Sequence, residues 1–311
     1  MQATTMLAVL AAAGAAAGFA LEYAAPGVAA RGWLALERAR ARLRVRRAAI
    51  PGFAMPYLDG GHGEPLVLVH GFGGDKDNFT RIARFLTPHF HVVAPDLPGF
   101  GDAGRDPDAD YGIGAQVERL HAFLQALGLG RVHLGGNSMG GFIAMQYAAT
   151  YPDDVRSLWL LDAAGTAAAG DTELLRQYAA TGEFVLLVRS EADFAALLQA
   201  ALHRAPWTPP SLRRVLARRA TADFALHRRI FRQISSASPS LEPLLPSISA
   251  PCLIVWGRQD RILNPAAAGI MQALIPQCAV VVMDDTGHLP MIERPRATAR
   301  DFLRFVAARP G

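Results

Sequence analysis

The chain has 311 residues, of which 51% are hydrophobic and 19% charged, enough apolar material for a sizeable core and too much for an intrinsically disordered chain. Its formal net charge of +4 is local: residues 1–50 hold seven Arg against Glu22 and Glu37, while the remaining 261 residues carry 24 basic and 25 acidic groups. A near-neutral body argues against nucleic-acid binding, and two cysteines, Cys252 and Cys278, are too few for a disulfide framework and read as buried thiols.

In chain order, Ala3 to Leu21 contains no charge and no proline, and as a helix it would span about 28 Å, near the ~30 Å hydrocarbon core of a bilayer. Residues 1–28 are therefore expected to form a transmembrane anchor, with a signal peptide cleaved near Val28-Ala29-Ala30 as the alternative. Gly14 and Gly18 form a small-xxx-small pair through which two such helices could make a homodimer. Residues 29–49 are expected to form a basic juxtamembrane helix, because Ala29 to Arg47 lacks proline and carries Trp33, Leu34, Leu36 and Leu43 among its arginines. Arginines directly after a span favour a cytoplasmic C-terminal side.

From residue 50 onward, short β-branched runs alternate with helix-like segments, the pattern of a mostly parallel α/β sheet. The expected strands are Leu66 to Val69, His91 to Ala94, Val132 to Leu134, Val155 to Leu161, Cys252 to Trp256 and Val280 to Met283. Helices are expected over Gln116 to Leu127, Phe142 to Thr150 and Arg296 to Ala307. Strand signals stop in residues 165–246, which read as a helical insertion between core segments 50–164 and 247–311; its ten arginines form a solvated face or one turned to lipid phosphates.

Gly136-Asn137-Ser138-Met139-Gly140 follows one strand and opens a helix, the context in which GxSxG makes a nucleophile elbow. Gly136 and Gly140 leave room for the strained turn. A serine hydroxyl needs a base and the base needs an orienting acid, in the chain order Ser, Asp, His. His288, directly after the last expected strand, is the base, and Asp260, just beyond the preceding one, is the acid. Asp162 ends an earlier strand and is the competing acid, whereas Asp284 and Asp285 lie too close in sequence to His288. His89, His91, His121, His133, His203 and His227 read as packing or surface residues.

Acyl transfer also needs donors for an oxyanion. The amide of Met139 is one, and the loop His70-Gly71-Phe72-Gly73-Gly74 supplies the other at Phe72, with His70 as a loop-fixing residue. The run Gly99 to Gly104 matches G-x-G-x-x-G but leads into an Asp- and Pro-rich loop instead of a helix, so it is not a dinucleotide site. The only lysine, Lys76, is outside any Walker A pattern, and no HExxH is present to suggest a zinc hydrolase.

With Ser138, Asp260 and His288 in this order and the loop Pro95 to Gly101, residues 50–308 resemble the α/β-hydrolase superfamily. The runs HGFGGDKDNF and GNSMGG look similar to those of monoacylglycerol lipases and bacterial lipases and, together with the N-terminal apolar segment, to membrane-anchored bacterial phospholipases A. The resemblance implies an eight-stranded sheet, a helical lid over the site at 165–246, no cofactor or metal, fatty-acyl ester substrates and attachment to the bacterial cytoplasmic membrane. GNSMGG also occurs in hydrolases that cleave carbon–carbon bonds of aromatic ring-fission products, but Asp75 departs from their HGxGxG pattern. A catalytically silent binding protein is the third reading.

Overall fold

The computed structural model describes residue 6 and residues 18–237 and 240–309. Eight strands form one sheet in the order β1-β2-β4-β3-β5-β6-β7-β8: β1 (Leu43–Ile50), β2 (Phe53–Gly61), β3 (Glu64–Val69), β4 (Phe90–Pro95), β5 (Val132–Asn137), β6 (Val155–Leu161), β7 (Cys252–Gly257) and β8 (Cys278–Met283). β2 pairs antiparallel with β1 and β4, and every other neighbouring pair is parallel. Nine helices of eight residues or more are described from Pro26 onward: α1 (Pro26–Arg40), α2 (Ile113–Leu127), α3 (Met139–Thr150), α4 (Glu173–Thr181), α5 (Glu191–Ala201), α6 (Pro210–Ala222), α7 (Phe224–Ala237), α8 (Ala267–Leu274) and α9 (Pro295–Ala307).

The parallel strands are continuous apolar runs because both faces are covered. Val67, Val69, Leu134, Leu158, Leu160 and Ile254 bury on one side, while Leu66, Leu68, Trp159, Leu161, Leu253 and Val255 bury on the other, where Trp159 stacks on Phe302 of α9 with ring centroids 4.2 Å apart. Every strand expected from sequence is present; β6 has the expected bounds and the other five are longer by one to three residues.

The basic helix expected over residues 29–49 is corrected. α1 ends at Arg40, Arg42 takes a left-handed φ of +55°, and Leu43–Ile50 is an edge strand. It turns through Pro51 and Gly52, the latter at φ +78°, so that Ile50 faces Phe53 in a two-residue hairpin. Leu43, Ala48 and Ile50 are buried, while Arg44, Arg46 and Arg47 line an outer edge whose charge discourages pairing with another chain. Trp33 does not stand alone in a headgroup layer: its ring meets Trp207 edge-on at 5.6 Å.

Most of the apolar run from Ala3 to Leu21, with Gly14, lies outside the described residues. Residues 18–24 are helical, and among the described residues no helix is long and apolar enough to cross a membrane.

The helical block carries α4 to α7 and sits over the C-terminal ends of the strands, where open α/β sheets bind ligands. Its polar ties converge on one cluster. Lys76, completely buried, donates to Asp96 at 2.8 Å and Asp102 at 2.7 Å; Arg219 of α6 reaches Asp102 at 2.7 Å and Asp75 at 3.3 Å; and Arg38 of α1 reaches Asp77 at 2.7 Å. Glu22 accepts from the Ser211 amide at the start of α6, and Arg105 forks onto Asp223 with contacts of 2.8 and 2.7 Å.

Burial and the neighbouring Asp77 and Asp96 push the Asp75 carboxyl up to about 7. A carboxyl raised in the folded state contributes stability that is present at acidic pH and is lost as pH climbs through that value. Relative to Asp75→Asn, the native protein should therefore lose Tm between about pH 4 and pH 7, and parallel thermal melts across that range check it.

Candidate active site

Ser138 stands at the turn between β5 and α3 with φ +55° and ψ −119°, a conformation a non-glycine residue adopts only when its surroundings impose it. The imposition is visible. The Ser138 amide donates to Leu161 O of β6 at 3.1 Å, and its carbonyl accepts from Phe142 and Ala164. A Cβ on Gly136 would lie 2.1 Å from Gly140 O, and one on Gly140 would lie 2.1 Å from Val69 O. Both positions admit only glycine because backbone occupies the space. Met139 begins α3, so its amide is one of the unpaired N–H groups at the positive end of that helix.

His288 arrives on the loop after β8. Its Nδ1 lies 2.8 Å from Asp260 Oδ2, and both side chains are buried. Asp260 also accepts from Trp256 Nε1 at 3.1 Å and from the Ile262 and Leu263 amides at 2.8 and 3.0 Å. A carboxylate opposite Nδ1 fixes that nitrogen as the protonated one and leaves Nε2 with a lone pair, as a base requires.

Two residues given no role in the sequence analysis hold this loop. Asn137 donates to Leu161 O at 3.0 Å and to His288 O at 3.1 Å, tying the His288 loop to the elbow. Glu293 accepts from the Gly287, His203 and Arg204 amides, and the His288 amide donates to Ala201 O at the end of α5. Asn137 could have been suspected from its place inside the elbow motif. Glu293 has no local signal, because two of its three partners, His203 and Arg204, lie about ninety residues away in the chain. Asp162, the competing acid, ends β6 beside this pair, accepts from the Gly257 amide at 2.9 Å, and has no hydrogen bond to His288.

On the other side of the elbow, the β3 loop comes so close that a Cβ on Gly71 would be 3.1 Å from the Ser138 Cβ. His70 fixes this loop: Nε2 accepts from the Leu97 amide at 3.0 Å, so Nδ1 donates to Gly71 O at 2.8 Å, and burial holds the ring below the usual histidine range. The Phe72 ring packs edge-on against Phe100, Phe231 and His227. The Gly99 to Gly104 loop wraps the Asp96 carboxylate, which would lie 2.4 Å from a Cβ on Gly101. Gly101 thus serves that contact, while Gly99 faces Tyr111 and Ile230 and Gly104 faces Phe53.

Ser138, Met139 and Phe72 border a cavity of about 530 Å³. Phe142, Leu175, Phe184, Leu186, Phe231, Ile234, Ile262 and Leu263 make its walls apolar, with Thr166, Asp171, Ser235 and Ser240 supplying scattered polar groups. Such a pocket accepts a flexible hydrocarbon and offers a few polar groups to orient its head.

Comparison with known proteins agrees with this geometry. Residues 64–295 match the family model for the alpha/beta hydrolase fold. The chain is 40% identical over 274 residues to Lipase 1 of Psychrobacter immobilis, covering 86% of each chain. It is 31% identical over 258 residues to monoacylglycerol lipase ABHD6 of Homo sapiens, covering 80% of this chain and 77% of that one. The crystal structure of a membrane phospholipase A superposes with a TM-score of 0.89 at 41% identity, over 99% of both chains. Elbow, sheet order and sequence match together place the chain in the α/β-hydrolase fold family.

Proposed function

We propose that this protein is a serine carboxylic-ester hydrolase that acts on fatty-acyl esters, namely monoacylglycerols, lysophospholipids or phospholipids, at a membrane. The observation that carries the reading is the His288–Asp260 pair, 2.8 Å apart, tied through Asn137 to a strained serine at the mouth of an apolar cavity. In this reading Ser138 Oγ attacks the ester carbonyl while His288 Nε2 takes its proton, and Asp260 stabilises the resulting imidazolium. The Phe72 and Met139 amides receive the oxyanion. His288 then protonates the leaving alcohol, and water attacks the acyl-enzyme with the same imidazole as base.

A panel of purified lipid classes tests the substrate assignment. Release of fatty acid from at least one of the three classes is expected; turnover of a ring-fission dienoate without any ester turnover would replace this reading with the carbon–carbon hydrolase. Failure of a fluorophosphonate probe to label Ser138 would favour a silent binding protein.

The helical block 165–246 acts as the lid, and the N-terminal segment as the membrane attachment. Trp207 at 70% exposure, with exposed Phe19 and Tyr23 beside Arg214, forms an aromatic and cationic face of the kind that suits a lipid interface, and contact between Gly14 and Gly18 of two copies would pair them there. Deleting residues 1–17 should spare hydrolysis of soluble p-nitrophenyl butyrate and reduce release from vesicle lipid. Deleting residues 1–40 should lower both, because Glu22 and Arg38 brace α6 and the Asp77 loop. Equal vesicle activity of the 1–17 deletion and the full chain would remove the attachment role.

A further inference from the structure

The reaction as derived gives Asp162 no part, yet Asp162, Asp260 and His288 present oxygen or nitrogen atoms that all lie within 4.8 Å of one another. Asp162 is completely buried at the end of β6, in a left-handed backbone conformation with φ +44°. Its amide donates to Val255 O at 3.0 Å and its Oδ1 accepts from the Gly257 amide at 2.9 Å. The other oxygen, Oδ2, is buried and receives no N–H or O–H. As half of an anion it would be a desolvated acceptor without a donor, an expensive arrangement.

Beside it lies the Asp260 carboxylate, which already accepts four N–H groups, from His288, Trp256, Ile262 and Leu263. Two neighbouring buried carboxyls do not both stay charged. The one served by four donors keeps the charge, so the proton belongs on the one served by a single donor. A proton on Oδ2 also converts the orphaned acceptor into a donor with an acceptor in reach.

We propose that Asp162 is a positioning residue for the reaction, held as a neutral acid whose Oδ2 hydroxyl donates to the Asp260 carboxylate and fixes that carboxylate against His288. Burial first, and then the charge of Asp260, hold the Asp162 carboxyl well above the usual range, with Glu293 adding to the push and the Gly257 amide opposing it. The titratable groups acting on it are thus Asp260, Glu293 and His288. A fifth donor spreads the charge of Asp260, which keeps it an acceptor and leaves the proton on His288 Nδ1. The left-handed backbone suits the role, because aspartate tolerates it better than most side chains.

This inference rests on the Ser138, His288 and Asp260 reading, and an infrared measurement separates the two. In the difference spectrum between the native protein and Asp162→Asn at neutral pH, the native side should show a protonated-carboxyl C=O stretch that the variant lacks. Absence of that band overturns the proposal, whatever the activity assays say. In kinetics, Asp162→Ala should lower kcat on p-nitrophenyl butyrate by about tenfold at unchanged KM, and Asp162→Asn, whose amide again donates, should recover most of it. Its acidic limb in kcat/KM should stay in place. If Asp162 were an anion, the same change would remove a negative charge within 4.8 Å of His288 and move that limb down by about one to two pH units, which would overturn the proposal. An inactive Asp162→Asn with the limb out of reach would do so too. An active Ser138→Ala would defeat the underlying reading and leave the infrared result standing by itself.

Discussion

Ser138→Ala is expected to lower kcat for p-nitrophenyl octanoate by on the order of 10⁶-fold, with His288→Ala close behind. The two effects should not add, because a base without a nucleophile, or a nucleophile without a base, leaves the same residual catalysis from the oxyanion donors and the binding pocket. Nothing in the packing opposes either change. Ser138 is held by its backbone, through Leu161 O, the Phe142 amide and the Ala164 amide, so removing Oγ leaves the elbow standing. His288 is held at its main chain by Asn137 and Ala201. Stopped-flow traces should lose the acyl-enzyme burst in both variants while the melting temperature stays near that of the native protein. A Ser138→Ala enzyme within about tenfold of native kcat would overturn the nucleophile assignment.

Asp260→Asn should cost roughly 10⁴-fold in kcat with the fold intact, by analogy with the same change in a serine protease triad. The reason is local. Asp260 Oδ2 accepts from both His288 Nδ1 and Trp256 Nε1, while Oδ1 accepts the Ile262 and Leu263 amides. An asparagine can keep its oxygen toward the two amides, but its NH₂ then faces two other donors. The imidazole escapes the conflict by moving its proton to Nε2, which turns the base into a donor aimed at the substrate side. The loss should therefore appear in kcat far more than in KM, and a chemical shift assignment of the His288 ring nitrogens should show the exchanged tautomer. A variant with native kcat would transfer the orienting role to another carboxyl.

The parallel strands and the elbow were legible because each obeys a local rule: apolar runs with turn residues at their ends, and small residues around a strained serine. The pairing of Asp260 with His288 was legible as well, since each follows a strand end that this topology brings to one edge of the sheet. β1 was read as helix for a physical reason. Its buried positions are only Leu43, Ala48 and Ile50, and the arginines between them suit a solvated helix as well as an edge strand, so that its pairing with Ala54, Met55 and Phe53 decides. β2 was missed because Pro56, Asp59, Gly60 and Gly61 are poor strand residues in isolation. Lys76 shows the same limit from the polar side. Its partners Asp96 and Asp102 stand 20 and 26 residues away, and no spacing rule announces a buried cation between two carboxylates.

The hydrogen bonds between the His288 loop and the end of α5 bear on how substrate enters. The His288 amide donates to Ala201 O, and Glu293 gathers the amides of Gly287, His203 and Arg204 into one knot. The C-terminal end of α5 is therefore a fixed post, joined to the same loop that aims the base. In the lid reading proposed above, a widening of the cavity that preserves catalysis leaves that post in place, with the end of α5 staying with the sheet. In that reading, the gate and the general base would thus share one hinge, and an opening that tore it loose would disarm His288 in the act of admitting substrate.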